Sequence, residues 1–343
     1  MLLGSLMAGR TVEQQENPRK CGHTTTTSGA LSRRQFAAVC AVGVMGVAVA
    51  PRAMAQAEPA VVQITLPSFH ELMTDPAVIA VSARGDVFAG NNSSGGGRPG
   101  ASVAVLRAGE SVASELPFPR NRIYGGLAVD AAGTLVATTG SEVLELLDGA
   151  TATTEIAALG ESAGVNSFRV AVDSTGARYV THYGERALKL SADETTAATL
   201  PFGALNWPVG IAVAGDGTVY LVDSNNTTKR ILELRPGASE PTVLPATITN
   251  PIGIAVDAAP RVYISETFQG GGRVLRYTPA SASTETLPFT DLQSANDVAV
   301  SPDGTDIYVC DVNAGQIIKL SIPAPLTENP GAGGSLEGLF GSS

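Results

Sequence analysis

The chain has 343 residues, 44% of them hydrophobic and 16% charged, with a net charge of −10 at pH 7. That is the composition of a globular domain and excludes a disordered polymer. The acidic balance argues against nucleic acid and anionic membrane as partners, because a surface of one sign repels a polyanion.

Residues 1–55 read as an export signal. Ser32-Arg33-Arg34-Gln35-Phe36 precedes the apolar run Ala37 to Ala50, and Ala53-Met54-Ala55 is a small-residue cleavage site. The paired arginines with Phe36 two places on resemble a twin-arginine signal. The run is rich in Ala, Val and Gly, too short and too weakly apolar for a stable membrane span. Cleavage removes Arg10, Arg19, Lys20, Arg33, Arg34 and Arg52 against Glu13 and Glu16, which moves the net charge from −10 to −14. It also removes Cys21 and Cys40, leaving Cys310 alone, so no intramolecular disulfide is expected.

Val61 to Pro67 (VVQITLP) comes next and has the form of a short strand without a partner of its own. From Pro76 onward one unit recurs six times. It is most legible from Trp207 to Leu234. Gly210 to Val213 is small and apolar, as a strand buried on both faces should be. Gly215-Asp216-Gly217 is a tight turn, Thr218 to Val222 a returning β-branched strand, and Arg230 to Leu234 a third strand. The residues that precede the apolar run are Val78, Gly126, Arg169, Gly210, Gly253 and Asp297, at spacings of 48, 43, 41, 43 and 44 residues. Fourth strands are read at Val112 to Pro117, Ala197 to Pro201, Thr242 to Pro245 and Thr284 to Pro288. Six near-regular units of four-strand length predict an all-β, six-bladed propeller. The last unit has three strands and stops at Ile322, so residues 61–67 are expected to complete it and close the ring.

Glycine recurs seven places after the anchor, at Gly85, Gly133, Gly176, Gly217 and Gly304, where a hairpin turn is expected; blade five has Pro260 there. Asn92 to Gly100 and Gln269 to Arg273 are Gly-rich, but no helical pattern follows either, so both read as flexible loops rather than phosphate cradles. Residues 323–343 are rich in Pro, Gly and Ser and read as a disordered tail after a propeller spanning 56–322.

The units, with GIAVD, VYV-x-D and RI-x-KL as their shared pattern, resemble NHL-repeat propellers close to the TolB-like group. That resemblance implies a top face where loops entering the first strand and leaving the second surround a central channel. Two rings mark the face. The inner ring is each anchor with the residue before it, including Phe168-Arg169 and Asn296-Asp297. The outer ring ends the second strands: Asn91, Thr139, His182, Asp223, Glu266 and Asp311. The outer residues suit hydrogen bonds to backbone N–H groups of nearby loops; His182 suits that role less well. Arg169 and Asp297 lie three blades apart and face each other across the mouth, while the Gly and Val anchors are expected to leave it open. Either the pair forms an inter-blade salt bridge, or it makes a polar axis for a ligand, flanked by Tyr124, Phe168 and Trp207.

The run Asn296 to Gly304 resembles gluconolactonase-type propellers, which implies a divalent cation such as Ca held by Asn and acidic residues of the inner ring. Only Asn296 and Asp297 match. Streptogramin-lyase propellers carry a strand-end Glu and a His two places later; Glu266 is followed by Phe268 instead. His70 and His182 are the histidines beyond the signal, and no G-x-S-x-G nucleophile motif accompanies them. No catalytic residue and no metal ligand set is assigned. The expected function is an exported recognition or scaffold module, monomeric and without cofactor. It would take a small polar ligand, a glycan or a peptide or protein at Tyr124, Phe168, Arg169, His182, Trp207, Asp223, Glu266, Asn296, Asp297 and Asp311. The alternative is a lactonase- or lyase-like enzyme with a divalent cation in the same cup.

Overall fold

The computed structural model describes residues 60–66, 69, 72–73, 75–91, 103–120, 124–160, 167–182, 186–225 and 227–323. They form six antiparallel sheets of four strands each, one per repeat, with one short 3-10 turn at Pro279–Ser281. This is a six-bladed β-propeller.

Blade four shows how the repeat folds. Its strands are Pro208–Val213, Val219–Ser224, Lys229–Leu234 and Thr242–Val243. The first is longer than its apolar run because Pro208 pairs with Asp223, and a bulge intervenes before Gly210 pairs with Val222. The same irregularity recurs at the start of the first strand in blades one, three, five and six. A bulge bends the strand and re-aims its side chains, here at the channel end. The turn glycines take left-handed backbone, with φ of +87°, +90°, +82°, +83° and +71° at Gly85, Gly133, Gly176, Gly217 and Gly304. Fourth strands are shorter than their sequence runs, only Ser114–Glu115 in blade one and Ala198–Thr199 in blade three. Gln269 to Arg273 is no flexible loop: Phe268 pairs with Gly271 across a two-residue turn. Asn92 to Gly100, His70 and the 324–343 segment lie outside the described residues.

Closure follows the expectation. Val62–Thr65 is the outermost strand of the last blade and pairs antiparallel with Gln316–Ser321, Val62 opposite Ser321 and Thr65 opposite Ile318. Gln63 adds a reciprocal clasp: Nε2 donates to the Thr290 carbonyl at 3.2 Å, and Oε1 accepts from the Thr290 N–H at 2.9 Å.

The hydrophobic core lies between blades. Each of six apolar clusters joins side chains of two neighbouring sheets; one, for example, packs Ile211 and Leu221 of blade four against Tyr179 and Ala187 of blade three. Burying each large aliphatic side chain, such as Ile211 or Leu221, contributes roughly 1.5–3 kcal/mol. First strands are therefore mostly apolar, since both faces are covered, with the charged anchors Arg169 and Asp297 among the exceptions. The small anchors serve this packing. A Cβ at Gly126 would lie 2.9 Å from the Arg169 Cα, and one at Gly253 would lie 2.6 Å from Asp297 Oδ1. Glycine there lets adjacent blades approach rather than leaving the mouth open. Among the described residues, no helix is long and apolar enough to cross a membrane.

Candidate functional site

The second-strand ends and the loops entering the first strands share one face. Asp223, fully buried, accepts N–H bonds from Asn206 at 2.8 Å and Trp207 at 2.7 Å, and Arg230 reaches its Oδ2 at 2.7 Å. Glu266 repeats the pattern one blade on, taking the N–H groups of Thr249 and Asn250 and pairing with Arg273 at 2.6 Å. Asp311 accepts from Gln293 at 2.8 Å and Ser294 at 2.9 Å. Asn91 accepts from the Asp75 N–H at 3.2 Å. A carboxylate at this position ties down the loop that enters its own blade. His182 is fully buried, and burial pulls its pKa below the usual histidine value against the opposing effect of the Leu159 backbone. The arginines were missed from sequence, although each follows its acidic partner by seven residues, Asp223 to Arg230 and Glu266 to Arg273.

On the channel axis, Arg169 and Asp297 meet. Nη1 of Arg169 lies 2.9 Å from Asp297 Oδ2, and both side chains are about nine-tenths buried, at 11% and 10% exposure. Arg169 also donates from Nε to the Val209 carbonyl at 2.9 Å and from Nη2 to the Asn296 carbonyl at 3.4 Å. Asp297 Oδ2 accepts the Ile79 N–H at 3.1 Å. Burial pushes the Asp297 carboxyl above the usual carboxylate range, against the pull of Arg169 and of the Ile79 and Val298 N–H groups. One guanidinium thus links blades three, four and six. The space left beside the pair, bordered by Gly126, Gly210 and Ile254, measures about 40 Å³. That is water-sized room, not a ligand cup.

These donors do not fit a divalent cation. A hard cation needs several converging oxygens. Asp297 is already engaged by Arg169, and Asn296 turns its amide Nδ2 to the Ala77 carbonyl at 2.8 Å. A guanidinium in contact with the carboxylate opposes a second cation there. Among the described residues, no group of three or more His, Cys, Asp or Glu is placed to hold a metal.

The remaining expected residues separate. Tyr124 is buried, its hydroxyl donating to the Pro119 carbonyl at 2.8 Å and its ring set edge-on to Phe118. Phe168 stands in the strand Ser167–Val172, and its side chain lies outside the described residues. Trp207 is 39% exposed and borders an open crevice of about 650 Å³ between blades four and five, together with Ser224, Asn225, Thr227, Asn250 and Ile252. A second crevice of about 630 Å³ lies between blades five and six, bordered by Phe268, Gln269, Asp291, Gln293 and Asn313. Among the described residues, these open crevices lie off the axis. Their amide and hydroxyl loop residues carried no sequence signal beyond polarity.

No protein-family model matches the sequence, and no curated protein does. Solved structures do. A gluconolactonase from Xanthomonas campestris superposes with a TM-score of 0.59 at 16% identity, covering 77% of this chain and 90% of that one. Virginiamycin B lyase from Staphylococcus aureus gives 0.51 at 15% identity, over 77% of this chain and 99% of its own. Regucalcin, a calcium-binding protein from Agrobacterium tumefaciens, gives 0.53 at 16% identity, over 73% and 90%. At such identities the likeness is one of fold, and it places this chain among six-bladed propellers with neighbours in the gluconolactonase and virginiamycin B lyase group.

Proposed function

We propose that this is an exported propeller of the NHL-repeat kind, in the TolB-like group, that acts as a recognition or scaffold module in the cell envelope or beyond it. The observation that carries the reading is how the acidic groups of the top face are engaged. Asp297 is paired with Arg169 on the axis, and Asp223 and Glu266 each hold two loop N–H groups and an arginine. A general base or nucleophile must instead face the space that a substrate occupies. The open crevices present an exposed indole, amides and hydroxyls, which is binding chemistry. The ligand class in this reading is a small polar molecule, a glycan or the end of a peptide. The module works as a monomer and needs no cofactor.

The test is a comparison of binding with turnover. The purified protein should retain ligands from an envelope extract, with retention and melting temperature unchanged by EDTA. It should turn over neither gluconolactone nor virginiamycin B. Divalent-dependent turnover of either compound would replace the recognition reading with an enzymatic one.

A further inference from the structure

We infer that the two off-axis crevices form one elongated cleft for a neutral oligosaccharide, with Trp207 and Phe268 as its two stacking platforms; this deepens the recognition reading and rests on it. Among the described residues, the large apolar side chains that stand exposed are mostly aliphatic, and Trp207 and Phe268 are the aromatic ones, at 39% and 42% exposure. They fall on neighbouring blades and the same face, one in each crevice. The crevices adjoin through blade five: Asn250 of the first donates its amide to the carbonyl of Thr267, the residue before Phe268 of the second.

The chemistry is that of a sugar chain. A pyranose ring offers an apolar C–H face to an aromatic ring and hydroxyls at its edge to amides and hydroxyls. In the first crevice the edge groups are the Asn225 amide N–H and the Asn250 amide oxygen, since the Asn225 oxygen is taken by Thr227 and Thr228 and the Asn250 N–H by the Thr267 carbonyl. Gln269, Gln293 and Asn313 supply them in the second. Charge favours a neutral chain. The described lining of the first crevice has no ionisable side chain, and that of the second has Asp291 alone. An acidic ligand would also meet a chain of net charge −10.

The platform loops are held in place. Asp223 fixes the Trp207 N–H at 2.7 Å, and the Trp207 carbonyl accepts from Ser224 at 2.9 Å. Glu266 fixes Asn250, and Asp311 fixes Gln293. Arg273, itself paired with Glu266, sits 5.9 Å from the centre of the Phe268 ring. The three acidic outer-ring residues thus each anchor one residue that borders a crevice. Such preorganisation lowers the entropy lost on binding.

Trp207 is the single tryptophan of the chain, so its fluorescence reports this site alone. The full chain would be titrated with chitohexaose, cellohexaose and maltohexaose, and with tetra-alanine as a peptide probe. At least one hexasaccharide should give a saturable change in fluorescence. Phe268→Ala should weaken that binding about tenfold or more, the scale for losing an aromatic anchor. Asn313→Ala, at an exposed position of the second crevice, should weaken it as well, without a change in melting temperature. Val243→Ala, at an exposed apolar residue of an outer strand, should bind like the parent. Hexasaccharide binding indifferent to both Phe268→Ala and Asn313→Ala would overturn the two-platform cleft. A response to tetra-alanine alone would overturn the saccharide assignment while leaving the recognition reading in place. Silence with every probe would overturn the inference, and the recognition reading would then stand or fall on the envelope-extract and turnover test.

Discussion

Arg169 and Asp297 are the two charged anchors on an axis whose other anchors are Val78, Gly126, Gly210 and Gly253. Two arguments compete for them, a ligand-facing polar axis and an inter-blade brace. The geometry favours the brace. Each partner is about nine-tenths buried, and both also bond to backbone groups of other blades. Removing one partner leaves the other's charge buried without compensation. Arg169→Ala and Asp297→Ala should therefore each cost about 3–5 kcal/mol in urea unfolding. The double variant should cost less than the sum by about 0.5–3 kcal/mol, the coupling of residues in contact. Additive losses would show that the pair does not act as one unit. His182 illustrates the same principle from the other side: a histidine in a ring of candidate ligand residues is fully buried, away from any ligand.

The blade is marginal as an isolated element, because its apolar residues cover both faces and need a neighbour on each side. The last blade depends on a strand that arrives from the far end of the chain. Val62 and Ile64 remain half exposed, at 50% and 46%, so that strand contributes ladder hydrogen bonds more than apolar burial. Net hydrogen bonds of about 0.5–1.5 kcal/mol each, over the strand and the Gln63 clasp, sum to several kcal/mol. Deleting residues 60–66 should expose the Gln316–Ser321 edge, lower the melting temperature and promote association through that edge. A truncated chain that stayed monomeric in ultracentrifugation with an unchanged melting temperature would mean that the ring closes by other contacts.

For the whole molecule, function depends on where the propeller operates. The proposed export route makes a clear demand: replacing Arg33 and Arg34 together with lysine should keep the protein in the cytoplasm with its leader uncut. N-terminal sequencing of the exported parent should begin at Gln56, and unaffected export of the Lys variant would point to the general secretory route. Much of the fold was legible in the sequence, because a repeat writes its period in apolar runs and turn glycines. Six anchors at near-constant spacing counted the blades, and a spare VVQITLP strand before a three-stranded last unit closed the ring. Outer-ring residues such as Asp223 and Glu266 were legible as loop ties, since their place at a strand end defines what lies within reach. Tertiary structure decided what no local pattern encodes. Arg169 and Asp297 are 128 positions apart, and whether they flank a cup or fill it depends on how closely six sheets approach the axis. The same is true of Tyr124, drawn inward to Phe118, and of the crevices beside Trp207 and Phe268. Each of these is a product of neighbouring blades packing together, and a distance between blades is set by side-chain volumes on both sides rather than by any one stretch of chain.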